Sequence, residues 1–149
     1  MNIEKVDILV VGAGPSGTMA AAIANKSGLN VKIIEKTKFP RFVIGESLLA
    51  RCMDHFEEAG VLEELKKHNF QVKNGAIFLK GEQRCEFNFA EQFTKGKEWT
   101  WQAPRDQFDK VIADTVESMG VAIDYESEVI DIQFNGTDST TIVKDKRGV

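Results

Sequence analysis

VDILVVGAGPSGTMAAAIANKSGLNVKIIE, residues 6–35, is the stretch that decides the fold. Its opening, Val6-Asp7-Ile8-Leu9-Val10-Val11, is short, apolar and rich in β-branched residues, which predicts a buried parallel strand. The strand runs straight into Gly12-Ala13-Gly14-Pro15-Ser16-Gly17, a GxGxxG turn. A helix of small residues is predicted from about Pro15 to Ser27, with Gly28 placed at C′ to stop it. A second strand, Val31 to Ile34, ends on Glu35.

Each residue type in the turn has a physical task. Gly12 permits the tight strand-to-helix reversal, Gly14 lets a diphosphate approach bare backbone, and Gly17 lets the helix pack against the strand. Ala20, Ala21 and Ala24 are expected to extend that close-packed surface. The free N–H groups and positive dipole end around Pro15-Ser16-Gly17 would then face phosphate oxygens. Glu35 follows Gly12 by 23 residues, near the roughly 20 expected of an acid that binds a ribose hydroxyl. Glycine-rich turns without a ligand are common, but here strand, helix and acid agree on a dinucleotide site. The carboxylate would repel a 2′-phosphate and so argues against NADP. NAD and the ADP half of FAD both remain open.

A chain of 149 residues suits one domain, able to bury roughly two-thirds of its unfolded surface. The formal charge is −4 and the pI about 5.3, with both signs interspersed. No basic stripe speaks for nucleic acid, and no polybasic cluster for anionic lipid. The apolar runs fall well short of the roughly 18 residues of a membrane span. The sequence enters a strand almost at once, which leaves no room for a signal peptide and points to the cytoplasm. Cys52 and Cys85, 33 residues apart, have no metal or redox spacing and read as reduced thiols. His55 and His68 lack ligand partners at helical spacing, so no metal is expected.

After Glu35, Pro40 and Gly45 bracket an irregular stretch, KTKFPRFVIG. Glu46-Ser47 is read as the start of a helix, with Leu48, Leu49, Cys52, Met53 and Phe56 at helical spacing and Gly60 as its stop. A shorter helix is predicted over Val61 to His68. From Gly75 the period changes to two. Strands are predicted at Ala76–Leu79, around Cys85, Phe87 and Phe89, and at Trp99–Ala103, with a polar loop over Asn88–Gly96. Pro104 starts a long helix with Phe108, Val111, Ile112, Thr115, Val116 and Met119 on one face and Gly120 at its end. Strands Val121–Ile123 and Glu128–Phe134 follow, and Asn135-Gly136 turns the chain into Thr140–Lys144. Lys146-Arg147-Gly148-Val149 reads as another turn. The expected domain, 1–149, thus comprises a βαβ unit (5–35), a helical segment (46–68), a β-insertion (75–103) and a helix with strands (104–145). The fold class is α/β, a Rossmann-like parallel sheet carrying inserted strands and a β-hairpin. With no later strand returning to the sheet, the fold looks incomplete.

Phe39-Pro40-Arg41, Gly45-Glu46-Ser47-Leu48-Leu49 and Pro104-Arg105-Asp106-Gln107-Phe108-Asp109 add a second layer. Together with the glycine turn and its acid, they resemble FAD-dependent oxidoreductases of the p-hydroxybenzoate hydroxylase-like superfamily. Within it the sequence is most similar to flavin-dependent halogenases and geranylgeranyl-reductase-like proteins. The resemblance spans about residues 5–145, the first third or so of a complete member. It implies FAD as cofactor, held by Gly12, Gly14, Pro15, Ser16, Gly17, Glu35, Lys36, Arg41, Gly45, Glu46, Ser47, Arg105 and the backbone of Val129. Arg41 and Arg105 are planar cations suited to polar parts of FAD, or else partners in surface salt bridges. Gly45-Glu46-Ser47 would put bare backbone and a helix N-terminus where the flavin passes, although a carboxylate at N1 suits the dipole with no ligand at all.

Lys73, in Val72-Lys73-Asn74-Gly75-Ala76, lies where halogenases carry an essential lysine that handles hypohalous acid. Its bland reading is a solvated loop lysine. Trp99-x-Trp101-x-x-Pro104 superficially resembles a halogenase signature but precedes the PRxxFD helix instead of following it, so these tryptophans read as strand and core residues. The resemblance implies a monooxygenase or halogenase acting on a small organic substrate, with NAD(P)H or reduced flavin from a partner reductase as electron donor. A geranylgeranyl-reductase-like reaction, an NAD-dependent dehydrogenase domain and a non-catalytic nucleotide-binding module are the alternatives.

Overall fold

A computed structural model describes residues 3–145, so the turn expected at 146–149 lies outside the described residues. In chain order the elements are β1 (Ile8–Val11), α1 (Pro15–Lys26), β2 (Val31–Ile34), α2 (Arg51–Ala59), α3 (Leu62–Lys66), β3 (Gln71–Lys73) and β4 (Gly75–Lys80). They continue with β5 (Gln83–Asn88), β6 (Thr100–Gln102), α4 (Arg105–Ser118), β7 (Ala122–Asp124), β8 (Glu128–Asn135) and β9 (Asp138–Lys144).

The parallel sheet has the order β1-β2-β7. Ile8 pairs with Val31 and Val11 with Ile34, while Ile34 pairs on its other side with Asp124. The centre strand carries the burial: Val31, Ile33 and Ile34 are buried, whereas Val11 on β1 is 59% exposed. The expected burial of the first strand is therefore only partial, because among the described residues β1 is an edge.

Pro15 stands in the first turn of α1, and the helix ends at Ser27 with Gly28 beyond it at φ +84°. The row turned inward is Thr18, Ala21 and Ala22. Ala20, expected to pack, faces solvent, and Ala22 takes its place. Helix α4 turns Phe108, Ile112, Ala113 and Val116 into the same core. The two helices are tied at their far ends, where the Asn25 amide donates to the carbonyl of Met119 (3.0 Å). Around Phe108, the rings of Phe56 and Phe70 meet it edge to face at 5.6 and 5.9 Å, and Trp101 meets Phe70 at 5.8 Å. Each such aromatic pair adds roughly 1 kcal/mol beyond its buried area. Trp101 is buried, and Trp99 packs against it with centroids 5.1 Å apart.

Two elements differ from the sequence reading. The helix expected from Glu46 begins at Arg51. Residues 46–48 lie instead along β6: Ala103 donates to the Glu46 carbonyl (2.9 Å), Leu48 donates to that of Trp101 (3.1 Å), and Ser47 bridges Gln102. The polar backbone of 46–48 is satisfied by a strand, so it has no need of a helix, and the helical spacing of Leu48 and Leu49 is incidental. Lys73 is also not on a loop. It ends β3, which pairs antiparallel with β6 and sets Lys73 opposite Thr100. Two further antiparallel pairs, β4–β5 and β8–β9, hold the exposed apolar residues Phe78, Leu79 and Phe134.

Candidate functional site

The site grows from the carboxyl end of β1. Gly12 takes φ +96°, a backbone state that favours glycine, and donates its N–H to the carbonyl of Ile34 (2.8 Å), which pins the turn to β2. A Cβ on Gly17 would stand 2.1 Å from the Gly12 carbonyl oxygen, so only glycine lets α1 approach the strand. A Cβ on Gly14 would meet nothing nearer than Nη2 of Arg41 at 3.6 Å. Gly14 is also the N-cap of α1, and no side chain caps the helix. The first N–H groups of α1 consequently have no side-chain acceptor, and a cation stands beside the turn, an arrangement suited to an anion.

Glu35 closes the turn. One carboxylate oxygen, Oε2, accepts from the N–H of Ala13 (2.8 Å); the other, Oε1, accepts from the N–H (2.8 Å) and hydroxyl (2.6 Å) of Thr37. The residue is only 3% exposed. Burial by itself favours the neutral carboxyl, but the bonds from Thr37 and Ala13, with the Arg41 guanidinium nearby, outweigh it and hold the group below the ordinary carboxylate range. Thr37 occupies both lone pairs of Oε1, but Oε2 keeps one beside its bond from Ala13, so the acid can both brace the turn and accept from a ribose hydroxyl.

Two arginines and a second carboxylate complete the cluster. Arg105, at the start of α4, makes a fork with Asp109: Nε donates to Oδ1 (2.7 Å) and Nη2 to Oδ2 (3.0 Å). Its Nη1 donates to the carbonyl of Gly45 (3.3 Å). The bonds to Asp109 raise the guanidinium pKa against the opposing effect of burial. Arg41 lies with its Cζ 5.0 Å from the centre of the Phe39 ring, an attractive cation–π distance. Nη2 of Arg41 stands 3.9 Å from Glu35 and 3.8 Å from Asp109. Its Nε is buried and has no hydrogen-bond partner. An open N-terminus, a bare Gly14 and an unpartnered arginine donor together fit a bound diphosphate.

The other sequence-derived positions lie further out. The Lys73 ammonium donates to the Ser47 hydroxyl and sits 5.4 Å from the centre of the Phe89 ring. Glu46 accepts from the Gln102 amide (3.3 Å). The structure thus brings Lys73, Ser47 and Gly45 to one edge, linked to the glycine turn through Arg105, Asp109 and Arg41 in succession. Lys36 and Ser16 are exposed, and Val129 lies on β8 opposite Val143, just before a bulge. A surface cleft of about 360 Å³ opens beyond Phe39, between Lys38, Lys110, Asp114, Tyr125 and Glu126, and shares no residue with the turn. Among the described residues, no group of three or more His, Cys, Asp or Glu is placed to hold a metal, and no helix is long and apolar enough to cross a membrane.

Sequence reasoning missed Asp109, Thr37 and the backbone of Ala13. Asp109 had a signal: it is the last residue of the PRxxFD segment and lies four after Arg105, one helical turn along the same face. Thr37 had none beyond standing two residues after the acid.

With this geometry in place, the relatives are informative. The FAD binding domain family matches residues 5–149. Tryptophan 2-halogenase from Chondromyces crocatus is 32% identical over 133 residues, 89% of this chain and 25% of that protein. A flavoprotein/dehydrogenase from Cytophaga hutchinsonii superposes with a TM-score of 0.91 at 56% identity, over 97% of this chain and 36% of that one. The myxobacterial chondrochloren halogenase, an FAD-dependent enzyme, superposes with a TM-score of 0.88 at 29% identity, over 99% of this chain and 35% of that one. The chain spans from 25% to 36% of the length of these three relatives.

Proposed function

The chain belongs to the FAD binding domain family, and on that premise we propose that it forms the ADP-gripping part of a flavin-dependent oxidoreductase, monooxygenase- or halogenase-like, acting on a small organic substrate. Gly12, Gly14, Pro15, Ser16 and Gly17 would receive the diphosphate on the amides that begin α1, and Glu35 would accept from the ribose. Lys36 and the backbone of Val129 would flank the adenosine. Arg41 would face the diphosphate, and Arg105, bonded to the Gly45 carbonyl, would stand with Gly45, Glu46 and Ser47 on the flavin side. When bound, FAD supplies the redox chemistry, while the protein supplies position and field. NAD(P)H or a partner flavin reductase would supply the electrons.

The observation that carries this reading is the uncapped N-terminus of α1 beside a buried, ionised Glu35. The complete oxidoreductase built on this domain should purify yellow, with flavin absorbance at about 450 nm. A colourless protein that binds NAD would turn the assignment to a dehydrogenase domain, and one that binds neither would leave a non-catalytic module. The 149-residue chain alone should hold FAD no more tightly than ADP; tight stoichiometric FAD would show that the flavin end is already built.

Lys73 is proposed as the catalytic lysine of a halogenating parent. Its ammonium is held by Ser47 and the Phe89 face beside the proposed flavin edge. Lys73→Ala in the complete enzyme, with bromide supplied, should abolish halogenation while flavin binding persists. A second reading, a reductase or dehydrogenase of the same cofactor class, draws on the 56% identity to a flavoprotein described as a dehydrogenase. There Lys73→Ala would leave turnover unchanged, and halide would be inert.

A further inference from the structure

We infer that Asp109 is a positioning residue that divides the two arginines between different tasks: it fixes Arg105 as a structural clamp and leaves Arg41 as the cation that meets the diphosphate. The inference rests on the FAD-binding reading above and deepens it.

The two guanidinium groups are treated differently by the same carboxylate. Arg105 places two donors on Asp109, at 2.7 and 3.0 Å, and a third on the Gly45 carbonyl at 3.3 Å. It ties the first turn of α4 to the 45–47 segment, and a planar fork engaged on both tines is a poor diphosphate ligand. Arg41 touches neither acid at hydrogen-bond distance. Its Nη2 hangs 3.8 Å from Asp109 and 3.9 Å from Glu35, outside the range of a charged hydrogen bond, and its Nε is buried without a partner. The same Nη2 is the nearest heavy atom to the space that Gly14 leaves open, at 3.6 Å. Two acids and one aromatic ring hold Arg41 at the mouth of α1 without using up its donors.

Asp109 can do this only because Arg105 engages both its oxygens. Its side chain is 1% exposed, so water offers it no alternative partner. Released from Arg105, the carboxylate would close the gap to Arg41, form the fork there, and draw the guanidinium away from Gly14.

The test separates position from charge. Asp109→Asn removes a negative charge next to the anion, so Coulomb's law alone predicts tighter ADP binding. Loss of position predicts weaker binding. ADP and adenosine are titrated in parallel into the 149-residue chain by calorimetry, and the ratio of their affinities is the readout. A general loss of structure would weaken both ligands alike and leave the ratio unmoved. Arg41→Ala should cut the preference for ADP by about tenfold, the size of one charge-assisted contact. Asp109→Asn should cut it by about fivefold with adenosine unchanged. Unchanged or tighter ADP binding by Asp109→Asn overturns the inference. Should that variant fail to fold, Arg105→Lys serves: it preserves net charge but frees one Asp109 oxygen, and it should lower the ADP preference in the same way. An Arg105→Lys variant with the wild-type ratio also overturns it. A wild type with no preference for ADP over adenosine removes the nucleotide reading itself.

Discussion

At the glycine turn the backbone of Gly12 and Ala13 and the carboxylate of Glu35 are each tied down by short bonds, whereas the edge formed by Gly45, Ser47 and the half-buried Lys73 is thinly bonded. The first region is held by the Gly12 N–H on Ile34, the Ala13 N–H on Glu35 and two bonds from Thr37, all contained within residues 12–37. The second is assembled from distant segments: Ser47 reaches Gln102 as an isolated bridge, and Lys73 sits opposite Thr100 on a strand of three residues. The buried hydroxyl of Thr100 has no hydrogen-bond partner. Shape at the turn is therefore set before any ligand arrives, while shape at the other edge depends on a few pairings of high sequence separation. Preorganisation of this kind favours the part of a ligand that every dinucleotide shares.

Substitutions should reproduce this contrast. The largest effect is expected from Gly17→Ala, whose new Cβ would fall 2.1 Å from a backbone oxygen. A loss of about 3 kcal/mol in urea unfolding is expected. Gly14→Ala, three residues earlier in sequence but open in space, should change stability by less than about 1 kcal/mol while weakening ADP several-fold. Equal stability losses for the two glycines would break the comparison. Glu35→Gln comes next, at about 2 kcal/mol, since it disturbs bonds to a charged acceptor. The pH dependence follows with a definite sign. Because the folded-state carboxyl lies below its unfolded value, its contribution is complete above the ordinary carboxylate range and is lost as pH falls through the depressed value. Urea midpoints measured from about pH 7 down to about pH 3 should fall for wild type and flatten in Glu35→Gln. Smallest of all is Lys73→Ala, expected within about 0.5 kcal/mol of wild type. A larger loss would mean that the Ser47 edge is as firmly built as the turn.

Legibility in the sequence followed the same division. Residues 6–35 announce themselves because each signal is local: β-branched run, glycine spacing, small-residue helix, acid. The positions of β2 and α4 were readable for the same reason. What could not be read was long-range. Glu46 to Leu48 carried helical spacing, yet the edge of β6, more than 50 residues away, took up its backbone. Lys73 looked like a loop residue because a three-residue strand has no periodicity of its own. Ala20 and Ala22 could not be told apart from composition, since both are small and adjacent rows of a helix differ only in what faces them. Arg41 and Arg105 were equivalent as cations in the sequence. Only the placement of Asp109 shows that one is engaged and the other is not.

Glu35 also bears on redesign. Exchanging the acid at the end of the second strand is the obvious route to a domain that accepts a 2′-phosphorylated nucleotide. Here the same carboxylate is a latch: it holds Ala13 from one side and Thr37 from the other. Replacing it with a small or basic side chain would unfasten the loop that was to grip the new ligand, so a change of cofactor would demand a rebuilt hinge between residues 13 and 37 and not a single exchange.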